Sequence, residues 1–110
     1  MSETLISIAQ YRVKTGAEEQ FQDVLRHHRR TLRELELVTD RPFEVFLGAE
    51  RGIEGPWFVE IFEWADPSAA HRAHTHPQIS EAWESIGALC HARGDRPMFE
   101  FHSVGVLDLS

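Results

Sequence analysis

The sequence has few of the features that would set it apart from an ordinary globular domain, and each shortage excludes a class of structure or partner. A single cysteine means that no disulfide can form within the chain. Nowhere do about eighteen apolar residues follow one another, the length that a bilayer-spanning helix needs. The opening Met1-Ser-Glu-Thr4 has no basic region followed by an apolar run, so no export leader is indicated. A cytoplasmic protein with no membrane partner is the expectation. Basic charge is also scarce: 11 Lys and Arg against 18 Asp and Glu leave a net charge of −7. Only the Arg26 to Arg33 segment gathers cations, so nucleic acid is not an expected partner either. The chain holds no Gly-rich phosphate loop, no serine nucleophile elbow and no cysteine pair for zinc, and no cofactor is expected.

What is present suffices for one core. A chain of 110 residues, 42% hydrophobic, fits a single domain over residues 1–110 and can bury a core without a disulfide or structural metal. Seven histidines are the unusual count, and imidazole is the side chain whose proton moves near neutral pH.

Thr4 to Lys14 is rich in β-formers and ends at the turn pair Thr15-Gly16, which predicts a first strand. Thr15 and Glu18 have the spacing of a capping box. Phe21, Val24, Leu25, Leu32 and Leu35 then recur at helical intervals, predicting a helix to about Leu35. Pro42 opens a second strand, Phe43 to Leu47, and the turn-rich Glu50 to Pro56 joins it in a hairpin to a third, Trp57 to Trp64. Asp66-Pro67 caps a second helix that Pro77 interrupts and that resumes from Gln78 to Ala92, stopping at Gly94. A fourth strand runs from Met98 to Leu109.

This order is βαββαβ, the ferredoxin-like arrangement. Right-handed crossovers place both helices on one face of a four-stranded antiparallel sheet. Apolar side chains alternate onto both faces of strands three and four, so the uncovered face predicts a homodimer with a symmetric interface.

The string Val59-Glu-Ile-Phe-Glu-Trp-Ala-Asp66, then Ala69-Ala-His-Arg-Ala-His74, Pro77 and Trp83, resembles the antibiotic biosynthesis monooxygenase family of small α+β proteins. The resemblance implies a dimeric α/β barrel made of two sheets, with a small-molecule cavity between sheet and helices in each subunit. Members of that family include cofactor-free oxygenases of polyketide-like phenols or quinols, haem-degrading enzymes and isomerases. The haem-degrading branch carries Asn, Trp and His where this chain has Ala9 or Gln10, His74 and Glu84, which argues against haem degradation.

Several residues are candidates for chemistry. His28 lies on the apolar stripe of the first helix and faces inward, either as a hydrogen-bonded core residue or as a cavity wall. His74, set among Ala69, Ala70 and Ala73, can approach the sheet and leave room for a ligand; the resemblance also points to it. Glu60 and Glu63 project to opposite faces of an apolar strand, so at least one enters apolar surroundings where desolvation raises its pKa. Glu60 with His74 or His28 would make a general acid/base couple; the alternative is an ion pair of these carboxylates with Arg12 or Arg96 at a dimer seam. Trp64, Trp83, Phe62 and His102 are the candidate ligand contacts, although core packing is the commoner use of aromatic stripes. His71, His74 and His76 with Glu60 or His102 form a weak metal pattern, and Cys90 reads as a buried, inert thiol. The sequence thus supports a cofactor-independent monooxygenase or related acid/base enzyme in which His74, with Glu60 or His28, removes a phenolic or α-carbonyl proton from a small aromatic or polyketide-like substrate, with a non-catalytic ligand-binding or structural dimer and a metal-binding barrel as alternatives.

Overall fold

A computed structural model describes residues 4–109 of the chain; the reading of residues 1–3 as free of a leader lies outside them. The chain runs β1 (Ile6–Arg12), α1 (Glu18–Glu34), β2 (Glu44–Gly48), β3 (Trp57–Glu63), α2 (Ala69–His74), α3 (Pro77–Ala88) and β4 (Phe99–Val104). The strands form one antiparallel sheet in the order β2-β3-β1-β4, a ferredoxin-like topology, as expected. No helix of the described residues is long and apolar enough to cross a membrane.

Register decides what each face carries. Ser7, Ala9 and Tyr11 of β1 stand opposite Phe62, Glu60 and Phe58 of β3, and opposite Ser103, Phe101 and Phe99 of β4. These residues face the helices, because Ala9, Tyr11 and Phe58 share a buried cluster with Phe21 and Leu25 of α1 and Ile86 of α3. A second cluster, Leu32, Leu37, Phe43, Phe62, Ala69, Ala73 and Ile79, fills the other end of the same layer. On the opposite face Ile8 lies between Ile61 and His102, and Phe46 pairs with Val59.

Several boundaries differ from the sequence reading. The Thr15–Glu18 capping box does not form: α1 starts after Ala17 with no side-chain cap, and Glu18 Oε1 accepts instead from the Gly16 N–H at 2.6 Å. Asp66 accepts from the N–H and hydroxyl of Ser68 and from Arg72, closing a turn ahead of α2 rather than capping the helix. His76, not Asp66, acts as a cap, its Nδ1 accepting from the Gln78 N–H at the start of α3. α3 ends at Ala88, so Cys90 lies just past the helix, buried in a bridge to Val13. β4 stops at Val104, and Val106, Leu107 and Leu109 beyond it are exposed.

The loop into β3 is held by Arg93, whose guanidinium donates to the carbonyls of Val13 and Pro56. Gly55, at φ +114°, lies flat against that guanidinium, and a Cβ there would collide with it, whereas Gly16 and Gly52 have positive φ but open space. Substitution by alanine at all three should cost about 1 kcal/mol or more in backbone strain. Thermal melts should show Gly55→Ala as clearly the worst of the three; equal losses would mean that the contact with Arg93 is not what fixes this loop.

Candidate functional site

The buried residues fall into two core clusters, joined through the contact of Trp83 with Phe99. His28, on α1 between Leu25 of one cluster and Leu32 of the other, stands between them. Beside it a cavity of about 140 Å³ opens between the sheet and α2–α3. Engineered apolar cavities of about 150 Å³ hold a benzene ring, so this volume accepts one small ring. Its floor is Ser7 and Tyr11 of β1 with Phe101 and Ser103 of β4, and its wall includes Phe62, Trp64, Ala73 and Trp83.

The chain builds this space from small and large residues in alternation. Ala70 and Ala73 give α2 a thin face over the sheet, and the break at Pro77 lets α3 start afresh with Ile79 and Trp83 aimed at the same space. The aromatic wall is mutually packed: the Trp83 and Phe101 rings lie 4.7 Å apart, Phe62 and Trp64 4.9 Å, and Tyr11 and Phe101 6.0 Å. Such spacings hold rings rigidly.

Polar groups interrupt this apolar space at a few points. His28 is 4% exposed, and its Nδ1 has no hydrogen-bond partner. Burial, with a smaller contribution from the charge of His27, pushes its pKa down to about 4. The ring is therefore neutral at pH 7 and able to accept or donate a single hydrogen bond toward the cavity.

Glu60 is 1% exposed on the central strand β3. Ala9 stands directly opposite it, and the smallness of that residue lets the diagonal neighbour Tyr11 reach across. The Tyr11 hydroxyl donates to Glu60 Oε1 at 2.9 Å, while Oε2 has no partner. Burial pushes the Glu60 carboxyl up to about 7, against the lowering pull of the Tyr11 bond and of the Arg29 charge. The same burial, with the adjacent carboxylate, holds the Tyr11 phenol well above its ordinary range. Glu60 also floors a second cleft of about 170 Å³, lined by Gln22, Leu25, Arg26 and Arg29 of α1 and Val45 of β2.

The residues singled out in the sequence are thus only partly brought together. His28, Phe62, Trp64, Trp83 and His74 border one cavity. His74 is exposed at its mouth, its ring 5.3 Å from that of Trp83, rather than enclosed within it. Glu60 is hydrogen-bonded to Tyr11 and not to either histidine. His102 is on the opposite face of the sheet, paired with Ile8, because the period of two sends it away from Phe101 and Ser103. The carboxylates do not take Arg12 or Arg96: those arginines bind Glu50 and Glu100, and Glu63 accepts from Thr39. Tyr11 is the site residue that the sequence reading did not single out. Its signal was its position, two residues from Ala9 on the inward side of a strand destined to pair with the one that carries Glu60.

Among the described residues no three His, Cys, Asp or Glu side chains converge as a metal site. His71 is exposed, and Glu60 and His102 lie on opposite faces of the sheet, so the weak metal pattern is not assembled. Burial pushes the Cys90 thiol up to about 11, which suits an unreactive core residue.

No protein-family model matches the chain, and no curated protein does. Solved structures do. An antibiotic biosynthesis monooxygenase superposes with a TM-score of 0.67 at 20% identity, over 94% of this chain and 99% of its own. SnoaB, a cofactor-independent oxygenase from Streptomyces nogalater, gives 0.66 at 17% identity over 94% and 93%. The fold is that of the antibiotic biosynthesis monooxygenases. A dimeric ferredoxin-like protein of unknown function from Jannaschia sp. CCS1 shares it too, with a TM-score of 0.59 at 20% identity over 93% and 98%. Against these monooxygenase-fold structures the likeness is one of backbone.

Two of the buried titratable groups, Glu60 and His28, pull stability in opposite directions with pH. Free Glu60 loses its proton near 4.5 and the folded one near 7, so in that window the folded state binds more protons and stability falls as pH rises. His28 binds its proton near 6.5 when free and about 4 when folded, so its contribution is lost as pH falls between those values. Glu60→Gln keeps an acceptor for Tyr11 and removes the charge; urea melts should show it more stable than the native chain at pH 8 by roughly 3 kcal/mol, with the difference vanishing near pH 4. A difference independent of pH would remove the buried carboxylate from the account.

Proposed function

We propose that this chain is a cofactor-independent oxygenase, or a closely related acid/base enzyme, acting as a homodimer on a small aromatic or polyketide-like substrate. The observation that carries the proposal is Glu60: a carboxyl that titrates near neutral pH, joined by a hydrogen bond to a phenol that floors an aromatic-walled cavity. A base matched to ambient pH is what proton removal from a phenol or an activated methylene requires. The likeness of fold to an oxygenase that uses no cofactor supports the same reading.

The resulting anion is electron-rich enough to react with dioxygen directly. For an anthrone-like methylene the reaction balances without an external reductant: one oxygen atom enters as the new carbonyl, and the two hydrogens leave with the other as water. His28, neutral at pH 7, serves as a hydrogen-bond partner inside the cavity rather than as the base. His74, its ring tilted against that of Trp83, holds the substrate at the mouth. A ligand larger than one ring projects through that mouth, since ligand pockets for drug-sized molecules start at about 300 Å³.

The dimer rests on the sheet face that the helices leave bare. Ile8 pairs with Ile61 there, Val59 two residues along β3 pairs with Phe46, and the Trp57 indole N–H is buried on that face without an acceptor. A second copy would cover this apolar surface through a symmetric contact, and the dimeric state of the Jannaschia neighbour supports it. Sedimentation should give a dimer, and Ile61→Lys, which places a charge within this apolar patch, should give a monomer.

Oxygen uptake with a panel of anthrones and hydroquinones tests the activity. Glu60→Gln should lower kcat by about 10²–10⁴-fold, whereas His74→Ala should raise KM with little change in kcat. Equal rates in the native chain and in both variants would overturn the proposal, and binding without turnover would make the protein a ligand-binding dimer instead.

A further inference from the structure

The proposed base does not share a cavity with the substrate. Tyr11 floors the aromatic cavity, while Glu60 floors the cleft between α1 and β2, and the hydrogen bond between them forms the partition. The phenol donates its hydrogen to Glu60 Oε1, so its oxygen is left to accept from a donor on the cavity side. On the far side Glu60 Oε2 is buried, unpartnered and adjacent to the cleft that Arg26 and Arg29 border.

We propose that Tyr11 is the catalytic group that touches the reacting substrate and that Glu60, acting through it, carries the proton out by a separate route, the cleft between α1 and β2. The step balances. As a substrate O–H or activated C–H gives its proton to Tyr11 Oη, the phenolic hydrogen passes to Glu60 Oε1. The protonated carboxyl then releases it from its cleft side to water or buffer. Two electrons of the broken bond stay on the substrate, and nothing is oxidised in this step. The anion forms against the aromatic wall while the proton meets water on the carboxylate side, which separates a reactive carbanion from the proton it has lost. The path takes its substrate from the oxygenase reading; the proton route itself does not depend on that reading.

The charged and titratable groups around the carboxylate are few. Tyr11 faces it from β1, Arg26 and Arg29 from α1 with His28 on the same helix, and Val45 is the β2 residue opposite it. Cys90, whose charge would act on the phenol, stays neutral. Besides His28, His74 at the mouth of the cavity that Tyr11 floors is the other titratable side chain bordering that space, so Glu60→Gln is the variant that assigns the pH dependence to the carboxylate.

Tyr11 is the only tyrosine in the chain, which makes the test direct. In protein labelled with ¹³Cζ-tyrosine, the single resonance should move between pH 5 and 9 with a midpoint at about 7, and in Glu60→Gln it should stay fixed. A native resonance that does not move, or one that moves identically in Glu60→Gln, overturns the coupling. Glu60→Ala opens a hole onto the cleft; added formate should occupy it and restore the Tyr11 shift, and a second change, Val45→Trp, should block that rescue. Failure of formate to act, or its acting equally with Val45→Trp, overturns the exit route. A titrating Tyr11 in a chain that consumes no oxygen with any anthrone or hydroquinone would sink the oxygenase reading and leave the proton route in place.

Discussion

A carboxylate on the inward side of a central strand imposes conditions on everything around it. Glu60 is enclosed by sheet and helices, and an isolated ionised carboxylate in such a place costs several kcal/mol. The chain meets this cost in part and in a particular way. It provides one donor, the Tyr11 hydroxyl, and a distant cation, Arg29, and it leaves the second oxygen without a partner. The result is a group that is neither locked ionised nor locked neutral. Neighbouring choices follow from it: Ala9 opposite so that the phenol has room, Phe21 and Phe58 packed to hold the ring, and Val45 on the outer strand where a longer side chain would fill the cleft.

The contrast with Arg12, another buried charged group, shows that this incompleteness is selective. Arg12 is also 1% exposed, at the end of β1, yet Glu50, Glu100 and the Pro97 carbonyl satisfy it, and Arg96 joins the same carboxylate of Glu50. The hydrogen bonds of Arg12 and Arg96 hold Glu50 below the ordinary carboxylate range, and Arg12 is raised in turn. Every strong donor and acceptor there has a partner, which is how a buried ion network behaves when its task is to fix loops. Glu60 and His28, both with free atoms, lie instead beside the two cavities. Unsatisfied buried polar atoms are a cost that a purely structural core would have avoided.

The sequence was a good guide wherever one period dominated. The helical stripe of Phe21, Leu25, His28 and Leu32 and the alternation along β3 predicted which side chains go inward, and the order of elements predicted the sheet. It was a poor guide where a side chain has several partners to choose from. Glu18 could cap Thr15 or the Gly16 N–H, and turn geometry favoured the nearer one. Glu60 and Glu63 were the partners the sequence offered Arg12, and the folded chain gives it Glu50 and Glu100 instead. His102 was assigned to the ligand because its neighbours are aromatic, but a one-residue step along a strand reverses the face. Tyr11 and Glu60 are 49 residues apart in sequence and meet only through the pairing of β1 with β3, a relation that no local pattern announces.

The division of the core into two clusters explains why the site lies where it does. A continuous layer of apolar side chains under α1 would bury more surface and would leave no cavity. Placing an imidazole at position 28, between Leu25 and Leu32, interrupts that layer at its middle, and the alanines of α2 keep the space open from above. Neither device works alone: a leucine at 28 would join the two clusters under α1, and a large residue on α2 would fill the cavity from the other side. The break at Pro77 matters for the same reason, since a straight helix through that region could not present both Ala73 and Trp83 to one point. The cavity therefore comes from three separate concessions of packing on three elements, and the space they leave is one that Tyr11 lines from the sheet below.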